Sequence, residues 1–227
     1  MSNNPSARAR KQTLATTLGL VLALSAAACG GDQTQTRDYD AGAKNANVRR
    51  GVKPEPDAEA AVIEVESGGV SYGRIVIELY PNVAPKMVER FKTLAREGFY
   101  NGVAFHRVER NVIQGGDPLS KDGDPANDGT GDSPYPDLPA EFSDIEYEPG
   151  VVGAARTNDP NSANSQFFIT LAPTPQWNNQ YTVFGRVIEG LTQARIISGA
   201  PTRPGTVNPD PKIVIKSVTL QPRANFK

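Results

Sequence analysis

Apolar residues come in short runs from Val62 onward, and the period of the runs changes along the chain. Val62-Ile63-Glu64-Val65 and Arg74-Ile75-Val76-Ile77-Glu78-Leu79 are rich in β-branched residues and flank Ser67-Gly68-Gly69, which predicts two strands joined as a hairpin. Beyond Pro85 the period lengthens. Met87, Val88, Phe91, Leu94 and Ala95 recur at helical spacing and are expected to face a core, while Lys86, Glu89, Arg90, Lys92 and Arg96 are expected to face water. Pro85 suits a first helical position, where its missing N–H does no harm, and Gly98 ends the helix.

Further strands are predicted near Ala104–Val108, Val112–Gln114, Val151–Ala155, Gln166–Thr170, Thr182–Val187 and Ile213–Leu220, with a short helix near Leu191–Ile197. The stretch from Asp117 to Pro139 is loaded with Gly, Pro, Asp and Asn and reads as a long turn-rich connection. Many short strands with only two helices predict a mainly β fold: a closed antiparallel β-barrel, because closure removes exposed strand edges. High Gly (21) and Pro (19) counts agree and argue against a helical bundle.

The amino terminus is different. Arg8, Arg10 and Lys11 precede an apolar run from Leu14 to Leu24, too short for a comfortable membrane span, and small residues Ser25 to Ala28 lead to Cys29. This pattern resembles a bacterial lipobox, although Ala26 stands where Leu, Val or Ile is usual. It implies a lipoprotein signal peptide over residues 1–28, lipidation of Cys29 and membrane anchoring in the bacterial cell envelope, facing the periplasm or the outer surface. Residues 29–58 have almost no large apolar side chain and are expected to form a disordered linker, with the folded domain at 59–222. After the signal, 21 basic residues stand against 25 acidic ones, so no basic face for nucleic acid is implied. One cysteine excludes an internal disulfide, and one histidine with no Cys/His cluster leaves no metal centre to expect. The acidic loop Asp117–Asp132 lacks a closing Glu for calcium, so Asp122, Asp124 and Asp128 read as turn residues.

Four strings remain: Phe105-His106-Arg107-Val108, Gln114-Gly115-Gly116-Asp117, Asn164-Ser165-Gln166-Phe167-Phe168-Ile169 and Thr182-Val183-Phe184-Gly185-Arg186-Val187. In this order they resemble the cyclophilin family over about Ala61 to Leu220. The resemblance implies an eight-stranded antiparallel barrel capped by two α-helices, and peptidyl-prolyl cis-trans isomerase activity on proline-containing polypeptides without a cofactor. Together with the export signal it points to the folding of exported proteins as the task, and a monomer is expected.

Such a catalyst needs no nucleophile. Rotation about a peptide bond faces a barrier of ~18–20 kcal/mol, and the catalyst must bind the twisted bond better than either planar form. When twisted, the prolyl nitrogen pyramidalises and accepts a hydrogen bond, which an always-charged guanidinium fork can donate. By resemblance that donor is Arg107. Gln114 matches the family's glutamine, which contacts the substrate backbone and helps orient the arginine. Phe168 matches an aromatic at the floor of the proline pocket, while Phe167, alternating across the strand, is left for the core. Ala155 matches a small residue against the substrate backbone, and Arg156 stands where many members have Asn. His106 reads as a structural, hydrogen-bonded histidine, because the mechanism transfers no proton. Gly115-Gly116 permits a tight backbone path.

The segment between Arg107 and Gln114 is one residue shorter than the family's. A Phe of the proline pocket is missing and Val112 takes the neighbouring apolar place; losing one ring's contact weakens binding by about 1–2 kcal/mol. Gln176 stands where some members have Trp, Trp177 where Leu is usual and Tyr181 where many have His. Trp177 and Tyr181 are expected to line the pocket, Trp177 partly replacing the lost ring. The alternative reading is a proline-segment binding or chaperone module with weak or no turnover, because that Phe is missing.

Overall fold

The computed structural model describes residues 47–227. The expected signal peptide, Cys29 and the first part of the expected linker lie outside the described residues. Eight strands and two helices follow one another as β1 (Glu59–Ser67), β2 (Val70–Leu79), α1 (Pro85–Arg96), β3 (Arg107–Glu109), β4 (Val112–Gly115), β5 (Val151–Ala154), β6 (Phe167–Thr170), β7 (Val183–Glu189), α2 (Leu191–Ser198) and β8 (Val214–Pro222). Ser67 pairs with Val70, and the two residues between them, Gly68 (φ 56°) and Gly69 (φ 80°), both adopt the left-handed conformation a tight hairpin turn demands.

The strands form one antiparallel sheet in the order β3-β4-β6-β5-β7-β2-β1-β8. Its edges, β3 and β8, do not pair as strands. They approach only where the segment before β3 runs beside the start of β8: Ala104 bridges Val214, the Phe105 amide donates to the Ile213 carbonyl (2.9 Å), and the Ile215 amide donates to the Val103 carbonyl (2.8 Å). The sheet is thus a curled, open half-barrel, and the expected closure is not carried by a strand ladder. β3 is three residues long, and its Val108 amide is already taken by the Val207 carbonyl at 2.8 Å.

Alternation puts one face of each strand inward. Phe91 of α1 meets Tyr100, Phe167 and Phe184 at centroid distances of 5.1, 5.6 and 5.5 Å, and Ile63, Ile75, Ile77 and Ile113 join them in the same fully buried cluster. The inward residues of α1 are the five its period predicts. Its C-terminus closes in a Schellman arrangement, the Gly98 amide reaching the Ala95 carbonyl and the Phe99 amide that of Leu94, with Gly98 at φ 69°. At the other end the Glu141 carboxylate accepts from the amides of Lys86 (3.1 Å) and Met87 (3.0 Å), a cap that Ala84 cannot supply.

The linker expected to run to Ala58 ends earlier. Arg49 is bridged to Ser143, its guanidinium donates to the Val83 carbonyl (2.8 Å), and the Asp57 amide donates to the Leu79 carbonyl (2.8 Å). Val52 packs against an apolar cluster on the outer face of the sheet. Lys92, expected to face water, instead reaches Asp57 (2.8 Å) and Glu59 (2.9 Å). Residues 49–57 therefore form a strap along the domain. Its few apolar residues conceal this in the sequence, because backbone hydrogen bonds and one ion pair hold it.

Candidate active site

The outward face of β4, β5, β6 and β7 carries a second apolar cluster of Tyr80, Val83, Val112, Tyr147, Val151, Phe168, Tyr181 and Val183. Adjacent residues of β6 part company here: Phe167 enters the inner core and Phe168 the outer cluster. Above this floor Arg107, Gln114, Ala155, Arg156, Phe168, Trp177 and Tyr181 line one pocket. Seven of the nine residues expected to contact substrate are thus brought together from β3, β4, β6 and the loops flanking β5 and β7.

The aromatic wall is built edge to face. Phe168 lies 5.0 Å from Trp177 and 5.5 Å from Tyr181, at interplanar angles of 69° and 87°. Tyr147, which carried no motif in the sequence, supports all three, with centroids 5.6 Å from Phe168, 6.2 Å from Trp177 and 6.5 Å from Tyr181. Its backbone also fixes the loop that carries Trp177: the Tyr147 amide donates to Asn178 Oδ1 (2.9 Å) and its carbonyl accepts from the Thr174 amide (2.8 Å). Burial pushes the Tyr147 phenol well above its usual pKa. Gly153 makes room for both rings, since a Cβ there would collide with Phe168 and come within 2.8 Å of the Tyr147 hydroxyl.

Arg156 secures the Tyr181 side of this wall. It is 6% exposed, donates from Nε (3.0 Å) and Nη2 (2.9 Å) to the Gln180 carbonyl and from Nη1 to the Thr157 carbonyl (2.8 Å), and lies 4.6 Å over the Tyr181 ring. Val112 and Gln176 do not line the pocket. Val112 pairs with Glu109 across a two-residue β3–β4 turn and is buried in the floor cluster rather than in the pocket lining. Gln176 is exposed on a short turn and accepts from Gln180 through its backbone carbonyl (2.8 Å).

Arg107 and Gln114 stand opposite each other in the β3–β4 ladder, yet their side chains are not bonded to one another. Gln114 Nε2 donates to Gln166 Oε1 (3.0 Å), and Gln166 Nε2 donates in turn to the carbonyls of Gly129 (3.1 Å) and Gly131 (2.9 Å). Arg107 Nε donates to Glu109 Oε1 at 2.6 Å, the two side chains being 27% and 41% exposed. Neither Gln166 nor Glu109 was assigned a part from the sequence. Gln166 lies within Asn164-Ser165-Gln166-Phe167-Phe168-Ile169, and the i+2 spacing of Glu109 to Arg107 in a strand is the signal for their contact.

Gly116, at φ 98°, is needed where the chain passes Ser165, because a Cβ would come within 2.5 Å of that carbonyl and 2.8 Å of Gln166 Cα. His106 is 5% exposed, and burial pushes its pKa down to about 4, which leaves it neutral at pH 7. The ring's polar neighbour is the Ala104 backbone, at a geometry looser than an ordinary hydrogen bond. Asp117 and Asp122 accept from backbone amides at Leu119 (2.8 Å) and Asp124 (2.7 Å), as turn residues do. No group of His, Cys, Asp and Glu suited to a metal occurs among the described residues.

A family model described as cyclophilin type peptidyl-prolyl cis-trans isomerase/CLD matches residues 62–220. A probable peptidyl-prolyl cis-trans isomerase of Brucella suis is 50% identical over 145 residues, covering 61% of this chain and 74% of its own length. The peptidyl-prolyl cis-trans isomerase ppi1 of Schizosaccharomyces pombe is 41% identical over 153 residues, covering 66% and 95%. A crystal structure of a Cryptosporidium parvum cyclophilin type peptidyl-prolyl cis-trans isomerase superposes with a TM-score of 0.63 at 28% identity, over 72% of this chain and 97% of that one. A second structure of it, in the presence of the dipeptide Ala-Pro, matches at the same TM-score.

Proposed function

The chain belongs to the cyclophilin-type peptidyl-prolyl cis-trans isomerases, and from that premise we propose that it accelerates X–Pro isomerisation in exported proteins by donating a hydrogen bond from Arg107 to the pyramidalised prolyl nitrogen. One observation carries this reading: Arg107 borders a pocket whose other walls are Phe168, Trp177, Tyr181 and Ala155. The pyrrolidine ring sits against the aromatic faces, and the guanidinium meets the nitrogen only once the bond has twisted. A donor that binds the twisted form better than the planar ones lowers the barrier, and no proton needs to move. Gln114, held by Gln166, bonds the substrate backbone next to the proline. The dipeptide Ala-Pro, present with the Cryptosporidium relative, is of the chemical class this pocket fits.

Residues 1–28 act as the export signal and Cys29 as the lipid-bearing residue, so that the domain works in the bacterial cell envelope, as a monomer, on chains emerging from the membrane. The basic start, the short apolar run and the thiol after small residues support this. X–Pro exchange takes tens of seconds uncatalysed, slow enough to limit their folding.

A second reading is favoured by the two-residue β3–β4 turn, which leaves one wall of the pocket without a ring: a module that holds proline segments and turns over poorly. Exchange of a proline peptide in the presence of the full chain decides between them. Acceleration that falls about 100-fold in Arg107→Ala is expected, the size of effect seen when one preorganised donor is removed. Peptide binding without acceleration leaves the holding module. Acceleration untouched by Arg107→Ala removes the arginine mechanism. Lipid labelling that persists in Cys29→Ser removes the anchor.

A further inference from the structure

Glu109 is the side chain that holds Arg107, and we propose that it is a positioning residue for the isomerisation step, in the place the family resemblance assigns to Gln114. The inference rests on the reading of Arg107 given above.

Three observations combine. Arg107 and Glu109 are two residues apart on β3, so both project from the same face of the strand. The 2.6 Å bond from Arg107 Nε to Glu109 Oε1 is the hydrogen bond that the guanidinium makes among the described residues. Gln114, although opposite Arg107 in the ladder, gives its amide to Gln166 and is not bonded to the arginine.

Bonding through Nε has a chemical consequence. It fixes the plane of the guanidinium while leaving both Nη groups, with their four N–H donors, for substrate. A carboxylate against Nε also discharges part of the cation's need for a counter-ion without occupying the donors the twisted peptide requires. The backbone of Glu109 is set by its pairing with Val112, so the anchor belongs to a strand rather than to a loop. An arginine on a free stem must be ordered afresh at each crossing of the barrier, whereas one already held loses less. Because both side chains are partly exposed, the ion pair itself adds little to stability, and its effect belongs to the rate.

The test uses steady-state kinetics of the full chain on a proline tetrapeptide. Glu109→Ala is expected to lower kcat about tenfold with KM nearly unchanged, as when ordering of a donor is lost while apolar binding stays. Glu109→Gln keeps an acceptor and removes the charge, so it is expected to recover part of the loss, to within about threefold of the parent. The melting temperature should be the same in all three. On an Arg107→Lys background, Glu109→Ala should change kcat by less than about twofold, because the group it positions is gone.

An unchanged or raised kcat in Glu109→Ala overturns the inference, as does an equal loss on the Arg107→Lys background, which would put the carboxylate's effect elsewhere. Should Glu109→Ala fail to fold, Glu109→Gln decides alone: a rate equal to the parent's overturns the proposal, and a loss near threefold supports it. If Arg107→Lys by itself leaves the rate unchanged, the reading of Arg107 fails first and this inference goes with it; if Arg107 matters and Glu109 does not, only this inference fails.

Discussion

Phe167 and Phe168 are neighbours in one four-residue strand, and they live in two differently built parts of the molecule. Around Phe167 the ring partners are Phe91 of α1 and Tyr100 and Phe105 of the short α1–β3 connection, with Phe184 of β7 in the same cluster. Around Phe168 they are Tyr147, Trp177 and Tyr181, all from connections, with Val52 of the strap packed against the same cluster. The inner cluster is set by alternation and helical period. The outer one is set by where loops are tied down: Asn178 to the Tyr147 amide, the Arg156 guanidinium to the Gln180 carbonyl, and Asn179, at φ 63°, turning the chain back toward Tyr181. Specificity in this fold is therefore free to change by loop substitution while the inner cluster stays as it is.

The contrast is sharpest in paired truncations. Phe167→Ala should cost about 3–5 kcal/mol of stability, read from urea unfolding, because its cavity is walled by rigid elements. Phe168→Ala leaves a hole that opens into the pocket; it should cost no more than the low end of that range, about 2–3 kcal/mol, and show itself chiefly as a raised KM. Equal losses would mean that the outer cluster is as much a folding core as the inner one.

Gly153→Ala tests the junction between the two. Its new Cβ meets Phe168 and the Tyr147 hydroxyl, so about 1–3 kcal/mol of strain is expected, with KM rising because the pocket floor must shift. Retained KM with lost stability would place that strain in the inner core instead. Trp177→Ala removes a half-buried ring from the outer wall alone. A KM increase of about fivefold with an unchanged melting temperature is expected, near 1 kcal/mol of lost apolar contact.

The strap gives the smallest effect. Burial alone would raise the Asp57 pKa, but the bond from Lys92, the Glu59 amide and the nearby Arg96 outweigh it and hold the carboxyl below its ordinary 3.8. A depressed folded-state pKa contributes stability above pH 3.8 and loses it as pH falls through the lower value. Asp57→Asn should therefore lower stability by under about 1 kcal/mol at pH 7, and the difference from the parent should vanish in strong acid. A difference that persists at acidic pH would assign the effect to the Asp57–Glu59 turn rather than to the ion pair.

Much of this was legible in the residues. The hairpin at Gly68-Gly69, the five buried positions of α1, the places of the strands along the chain and the presence of Phe168 at the pocket follow from period, turn chemistry and the four strings. The strap was not legible, because Arg49 and Asp57 are held by backbone groups that composition does not reveal. Tyr147 was missed for a related reason: a lone aromatic between glutamates has no period, and only the fold brings it under Phe168. Val112 is expected among the substrate contacts because it takes the apolar place beside the missing Phe, whereas the two-residue turn buries it in the floor cluster. Gln114 gives its amide to Gln166 and Arg107 bonds Glu109, contacts that a match of family positions does not reveal.

The two-residue turn between Glu109 and Val112 also bears on how such a chain can change length. Arg107 and Gln114 are fixed by ladders on either side, β4 being locked to β6 from Val112 to Gly115, so residues added at Arg110-Asn111 leave every side chain of both strands on its present face. Lengthening so short a connection costs only a few tenths of a kcal/mol in closure entropy. The tip of this hairpin is thus a position of insertion and deletion at which bulk over the proline can be gained or lost in one step, while the donor, the amide and the aromatic floor keep their register.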